Sequence, residues 1–303
     1  TGDWVVFSTE RASRPKQTQH SVQVLKSADM PIHDPDCPFC KGNEHQTPAP
    51  LLEMFDEVTG EWELRVVPNA FPAVSPMREP SSPDSCTAIA NQVAVLRKLD
   101  GDNPLDNTAI AYGHHEVVIE SPRHNARLGL MHSAATKRLV LAWRERGKEL
   151  RKDPRVRHVH YFKNHGAAAG ASIVHSHSQV VALPIVSTNA YNRLEQARSF
   201  YVRHQISVFK RTVDLELEHQ ERVIEETKSF VAITPYASIT PFEIMIIPKH
   251  GRANFDEIDD DSLADFSDIL QRTLHRICVC LGEPSYNLVL RTAPHSSRQA
   301  YDY

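Results

Sequence analysis

No stretch of this 303-residue chain approaches the run of about 20 apolar residues that crosses a bilayer, so a membrane-spanning protein is not expected. An excess of basic residues is also missing: 34 Lys and Arg stand against 38 Asp and Glu, a formal charge of -4. A surface without a basic field has little hold on a polyphosphate backbone, so nucleic acid is not an expected partner and any phosphate chemistry belongs to a local site. Cysteine is scarce and odd in number, with Cys37, Cys40, Cys86, Cys278 and Cys280 only. With no leader-like segment at Thr1, this leads us to expect a reducing cytoplasm and no disulfides. The remaining composition is ordinary, 41% hydrophobic and 24% charged, and a chain of this length buries a core without cross-links. Histidine alone is abundant, at seventeen, so a single histidine carries little weight as a signal.

Proline clusters between Pro31 and Pro50 and between Pro68 and Pro83, where it ends helices and interrupts strand ladders, and these stretches read as loops around short strands. Alternating or continuous β-rich segments predict strands at Trp62–Pro68, His115–Ile119, His158–Lys163, Ser178–Leu183, Phe230–Thr234, Phe242–Ile247 and Tyr286–Arg291. Helical periodicity covers about Ser133–Arg151, about Asn189–Glu226 with a break, and about Asp260–Leu281, the last with Asp260 or Asp261 as its cap. The order strand, proline turn, strand, Pro-x-His occurs twice, ending first at Pro122-Arg-His124 and later at Pro248-Lys-His250. We read the chain as an α+β protein of two tandem related parts, 1–188 and 189–303, sharing a mainly antiparallel sheet flanked by helices.

The strongest local signal is Asn164-His165-Gly166-Ala-Ala-Ala-Gly170-Ala-Ser172-Ile-Val-His175-Ser176-His177-Ser178-Gln179, set between two predicted strands. Small residues let backbone N–H groups approach phosphate oxygens closely, and strand alternation points His175, His177 and Gln179 to one side. The bland alternative is a flexible Gly/Ala turn with surface histidines. Cys37-Pro-Phe-Cys40 has metal-ligand spacing; Pro35, Pro38 and the absence of helical periodicity after them disfavour a thioredoxin-like redox pair. Zinc is the expected metal. A closed tetrahedral site needs two more ligands, for which His124 and His175 are the candidates.

Taken with Trp4–Pro15, Val67-Pro-Asn69-Ala-Phe71-Pro and Gly113–His124, these motifs resemble the galactose-1-phosphate uridylyltransferase family, a branch of the histidine-triad superfamily, in the family's order and over nearly the whole chain. The resemblance implies two histidine-triad-like halves and a zinc site of Cys37, Cys40, His124 and His175. It further implies that His177 is the nucleophile, and that Arg14, Asn69, Asn164, Gly170, Ser172 and Gln179 contact the nucleotide and its phosphates. A neutral imidazole is a competent nucleophile, whereas a zinc-bound one has donated its lone pair, so His175 and His177 cannot easily exchange roles. Four protein ligands leave no open position for water, which makes the zinc structural.

The implied activity is ping-pong nucleotidyl transfer, UDP-glucose to hexose 1-phosphate, through a nucleotidyl-His177, with Gln179 and backbone donors around Gly170–Ser172 stabilising the phosphoryl oxygens. The implied partners are a nucleoside diphosphate sugar, a sugar 1-phosphate or phosphate, and a second copy of the chain in a homodimer. Uridylyltransferases of this family commonly place Pro between the paired histidines, where this chain has Ser176. His-Ser-His-Ser-Gln is similar to the ADP-glucose phosphorylase branch, so adenylyl transfer to phosphate is the alternative, together with dinucleoside polyphosphate phosphorolysis. That branch carries a second C-x-x-C where this chain reads Ser207-Val-Phe-Lys210, and a second zinc is not expected. Cys278 and Cys280 read as core on a helix. His204, His219, His275 and His295 read as solvent-facing, and His250 lacks partners before Tyr303, where we expect the sequence to be truncated.

Overall fold

The computed structural model describes residues 26–76, 111–250 and 253–295. Arg14, Cys86 and the Trp4–Pro15 motif lie outside these residues. Six strands form one antiparallel sheet in the order β1-β2-β3-β5-β4-β9, from β1 (Leu52–Phe55), β2 (Trp62–Pro68), β3 (His114–Ile119), β4 (His158–His165), β5 (His177–Leu183) and β9 (Tyr286–Leu290). Strand pairing sets two chemically different faces, because Val117, Gln179 and Phe162 lie opposite one another across β3, β5 and β4, and their neighbours in sequence point the other way.

One face is the core. Leu64, Val66, Val118, Val180, Ala182, Val159 and Tyr161 pack beneath helix α1 (Ser133–Leu150), which supplies Leu139, Val140 and Trp143. Trp143 is wholly buried, and its Nε1–H donates to Ser178 Oγ at 3.1 Å, which satisfies its one polar atom. Each Leu or Val buried here contributes about 1.5–3 kcal/mol. Helix α4 (Asp260–Leu281) packs against α1 through Leu263, Leu270 and Leu274. The opposite face carries His115, His177, Gln179 and Asn164, and a small cluster around Phe39 covers part of it.

The middle of the chain departs from its predicted pattern. Helix is expected as far as Glu226, but α2 (Thr188–His204) and α3 (Val208–His219) end at left-handed Gln205 and Gln220, and Val223–Glu226 is strand β6. Here β-branched Val223 and Ile224 pair with β7 (Phe230–Ile233) in preference to extending the helix. Strand β8 (Met245–Pro248) starts later than predicted, after Phe242 at φ 60°, and completes a separate three-stranded sheet with β6 and β7. That sheet is sandwiched: Val213 of α3 meets Val231 and Ile233, while Ile269 of α4 meets Phe230 and Ala232. Only β9, among the described strands after residue 188, joins the large sheet. The cap of α4 is Asp259, whose side chain accepts from Ser262 N at 2.8 Å; Asp260 and Asp261 lie inside the first turn, where their charge suits the helix dipole.

No helix among the described residues is long and apolar enough to cross a membrane.

Candidate active site

The Cys37–Cys40 segment is a tight knuckle pinned by Asn43, whose Nδ2 donates to the carbonyls of Asp34, Pro35 and Cys37 at 3.2, 3.0 and 2.8 Å. Both sulfurs point at two histidines brought from elsewhere. Cys40 Sγ lies 3.5 Å from His124 Nδ1 and 3.6 Å from His175 Nδ1, and Cys37 Sγ lies 3.7 Å from His175 Nδ1. All four ligand atoms sit within 4.8 Å of one another, and all four residues are buried. A tetrahedral ion with bonds of about 2.3 Å to sulfur and about 2.0–2.1 Å to nitrogen separates S and N by roughly 3.6 Å, so the spacing fits a metal.

The chemistry of the donor set agrees. Burial pushes the Cys37 thiol up to about 12 and raises that of Cys40, so two thiolates persist here only beside a cation. His175 is held neutral, its pKa pulled down to about 3 by burial, and its Nε2–H donates to Ser121 O at 2.7 Å. The Nδ1 lone pair is thereby aimed at the sulfurs, a tautomer set by the Ser121 carbonyl. These four residues are the ones expected as ligands, and their cluster can hold a metal ion.

His177 opens β5. His175 precedes the strand, so its ring leaves the alternation and turns to the cysteines, while His177 and Gln179 share the open face. His177 Nδ1–H donates to the carbonyl of His175 at 2.8 Å, which leaves the Nε2 lone pair as the reactive one. Burial lowers the His177 pKa, and the Lys163 ammonium adds to the effect, so the imidazole is neutral at physiological pH. Phe39, inside the knuckle, meets the rings of His175 and His177 edge-on at centroid distances of 6.0 and 5.4 Å. The candidate metal cluster and His177 are therefore braced by one aromatic ring and one backbone carbonyl.

Beneath His177 lies a buried ion pair that the sequence reading missed. Lys163 Nζ donates to Glu120 Oε2 at 2.7 Å, to Ser176 Oγ at 3.0 Å and to the His177 carbonyl at 2.9 Å, using all three of its protons. Ser176 Oγ donates to the same carboxylate oxygen at 2.6 Å. A signal was available: charged Glu120 and Lys163 interrupt apolar strand pattern on the face that becomes the core.

Gln179 is oriented by His115, a second omission. Ala73 N donates to His115 Nδ1 at 3.0 Å, so the proton sits on Nε2 and is donated to Gln179 Oε1 at 2.8 Å. The Gln179 NH2 group is thus turned outward as a donor. Asn69 lies against the same ring, with Nδ2 3.0 Å from His115 Nε2 and Oδ1 accepting from Phe71 N at 2.9 Å. His115 shares a face with Val117, opposite Gln179, and strand alternation alone would have placed it there.

The small-residue loop leaves β4 through Gly166 at φ 83° and returns through Gly170 at φ 85°. Gly170 N–H and Ala171 N–H donate within the turn, to Ala167 O at 2.9 Å and Gly166 O at 3.1 Å. Of the donors expected between 170 and 172, those of Ser172 remain uncommitted among the described residues. Asn164, on β4, completes this edge. As expected, His204, His219, His275 and His295 are exposed, and Cys278 is buried; Cys280 is exposed instead of core.

Known proteins resemble this chain over most of its length. The family model for the galactose-1-phosphate uridyl transferase N-terminal domain matches residues 1–187. The chain is 32% identical to an ADP-glucose phosphorylase from Arabidopsis thaliana over 97% of this chain and 76% of that protein. It is 26% identical to the galactose-1-phosphate uridylyltransferase of Haemophilus influenzae over 89% of this chain and 69% of that protein. A crystal structure of Arabidopsis thaliana ADP-glucose phosphorylase with bound ADP-glucose superimposes with a TM-score of 0.71 at 30% identity, covering 97% of this chain and 80% of that one. A match across more than half of this chain, with such a relative beside it, leaves no other assignment: the chain belongs to the galactose-1-phosphate uridylyltransferase family and is an enzyme of the nucleotidyltransferase type.

Proposed function

We propose that this enzyme transfers an adenylyl group from ADP-glucose to inorganic phosphate through a covalent adenylyl-His177. The observation that carries the covalent step is the fixed tautomer of His177, with Nδ1–H on the His175 carbonyl at 2.8 Å and Nε2 left as a lone pair. In the first half-reaction Nε2 forms a bond to the α-phosphorus, and the bond from that phosphorus to the bridging oxygen breaks, its electrons leaving with glucose 1-phosphate. In the second, a phosphate oxygen attacks the same phosphorus, the N–P bond returns its pair to Nε2, and ADP departs. The leaving group is a phosphate monoester with a second pKa near 6, so no strong general acid is required.

Between the two steps the imidazole carries positive charge, and the Nδ1–H bond to the His175 carbonyl becomes charge-assisted and stronger. That gain occurs where charge develops, which is where it lowers a barrier. Gln179, turned outward by His115, and the donors of Ser172 and Asn164 are assigned to the phosphoryl oxygens; Asn69 and Arg14 to the nucleotide. Cys37, Cys40, His124 and His175 are assigned to zinc, which supplies structural cross-linking when bound.

Two observations favour the adenylyl reading: identity of 32% to the ADP-glucose phosphorylase against 26% to the uridylyltransferase, and the hydrogen-bonded hydroxyl of Ser176, which Pro cannot replace. Uridylyl transfer from UDP-glucose to hexose 1-phosphate is the second reading, favoured by the family model over residues 1–187.

Intact-protein mass spectrometry after brief mixing with ADP-glucose or UDP-glucose, with His177→Ala as control, tests both. An adenylyl adduct lost in the variant supports the first reading, a uridylyl adduct alone supports the second, and no adduct with either removes the covalent mechanism.

A further inference from the structure

Three consecutive residues, Ser285 just before β9 and Tyr286 and Asn287 at its start, grip the small-residue loop at both ends. Ser285 fills the space beside Gly166, so close that a Cβ on residue 166 would come within 2.1 Å of Ser285 Oγ. Tyr286 stacks on His165 with ring centroids 4.9 Å apart and planes 30° from parallel. Asn287, directly opposite Asn164 in the β4–β9 pairing, donates both protons of its Nδ2, to Asn164 Oδ1 at 2.8 Å and to Ala169 O at 2.9 Å.

The second contact decides two orientations. Asn164 Oδ1 is committed to Asn287, so the Asn164 NH2 group is turned the other way, toward Gly170; its Nδ2 is the nearest atom to the Gly170 Cβ position, at 4.0 Å. The Ala169–Gly170 peptide is held at both ends, its carbonyl by Asn287 and its N–H by Ala167 O at 2.9 Å. A loose peptide here would be free to turn its carbonyl oxygen toward an incoming phosphate and repel it. Asn287 is exposed and supports no apolar core, so its bonds serve the loop and not the fold.

We propose that Asn287 is a positioning residue for the phosphate site: it sets the amide of Asn164 as a donor and keeps the Ala169 carbonyl turned away from the nucleotide's phosphates. The inference rests on the assignment of this loop to phosphate binding, and it makes the nucleophile's site depend on a segment more than a hundred residues later in the chain.

The test combines Asn287→Ala, Asn287→Asp, Asn164→Ala and the Asn287→Ala/Asn164→Ala pair. The readouts are kcat/KM with ADP-glucose and, independent of turnover, the calorimetric Kd for ADP. Loss of one orienting hydrogen bond is worth about three- to tenfold in either quantity. We expect Asn287→Ala to weaken ADP binding by that factor without changing the melting temperature. Asn287→Asp should be worse than Ala, because a carboxylate faces Asn164 Oδ1 with an acceptor in place of a donor. In the Asn164→Ala background the further loss should largely disappear, since the amide being oriented is gone. Losses that multiply independently in the pair, or an Asn287→Asp enzyme equal to the parent, would overturn the proposal. Because the ADP titration needs no group transfer, a failed covalent mechanism and a failed role for Asn287 are told apart.

Discussion

Replacing Lys163 by Met should be far more damaging than replacing Lys163 and Glu120 together. Lys163 and Glu120 side chains are 1% and 0% exposed, so neither charge has water to fall back on. Burial pulls the Lys163 ammonium below its usual range, and the Glu120 carboxylate opposes that pull. Met keeps the length of the stem but removes the charge and three hydrogen bonds, leaving the carboxylate, among the described residues, with the Ser176 hydroxyl as its one remaining donor; Glu120 Oε1 has none among them. Breaking a buried pair in this way costs about 3–5 kcal/mol, whereas exchanging both members for apolar residues is often nearly neutral. The His177 carbonyl and Ser176 still lose a donor in the double variant, which adds about 1–2 kcal/mol. Urea denaturation of Lys163→Met and of Glu120→Leu/Lys163→Met, with zinc present in both, reads the difference directly. The double variant should recover at least about 2 kcal/mol of the single variant's loss. A single variant within about 1 kcal/mol of the parent, or a double variant as unstable as the single, would refute the claim that an unpaired carboxylate dominates.

Gln179→Ala should lower kcat about 10²-fold with the melting temperature unchanged, whereas His115→Asn, which leaves the Gln179 amide present but unoriented, should cost about tenfold; steady-state kinetics that rank them in reverse would remove His115 from its role. Gly166→Ala should destabilise by about 1–3 kcal/mol from its backbone at φ 83°, ψ 160° alone, with the clash against Ser285 added, and adding Ser285→Gly should recover only the clash, as followed by thermal melting. Stability should fall as pH drops below about 6.5, because buried His158 and His165 have folded-state pKa values pulled down to about 3 and the unfolded chain takes up their protons first. Each contributes up to about 1.4 kcal/mol per pH unit between about pH 6 and 4, and urea midpoints for His165→Gln should show a shallower pH slope than the parent.

The elements that were legible in the sequence are those whose local pattern and tertiary role coincide. Strands β4 and β5 alternate because one face meets the core and the other faces the site, β2 and β3 read as near-continuous β-rich runs because almost every residue is buried, and Cys37 and Cys40 stand out as candidate metal ligands by residue type and spacing. Strand β6 was not legible, because Val223–Glu226 follows a charged helix with no proline or glycine between them and the break is made by left-handed Gln220. The supporting residues were hidden for a different reason. Lys163 and Glu120 lie 43 positions apart, His115 and Gln179 64 apart, and Asn164 and Asn287 123 apart, so only strand order brings them together.

That strand order also explains why the site is built on this part of the sheet. β5 lies between β3 and β4, so His177 and Gln179 have a neighbour on each side: β3 brings His115 and leads into Glu120, while β4 brings Lys163 and Asn164. The imidazole is braced from below by the buried ion pair through its own carbonyl, from the side by Phe39, and along the chain by the carbonyl of His175. In the proposed mechanism, an imidazole that receives and releases a nucleotidyl group gains from this rigidity, because each half-reaction needs the same in-line approach and neither can afford to reorganise the ring. Loosening any one brace should therefore slow both half-reactions by a common factor, whereas a residue that contacts only one leaving group would slow them unequally.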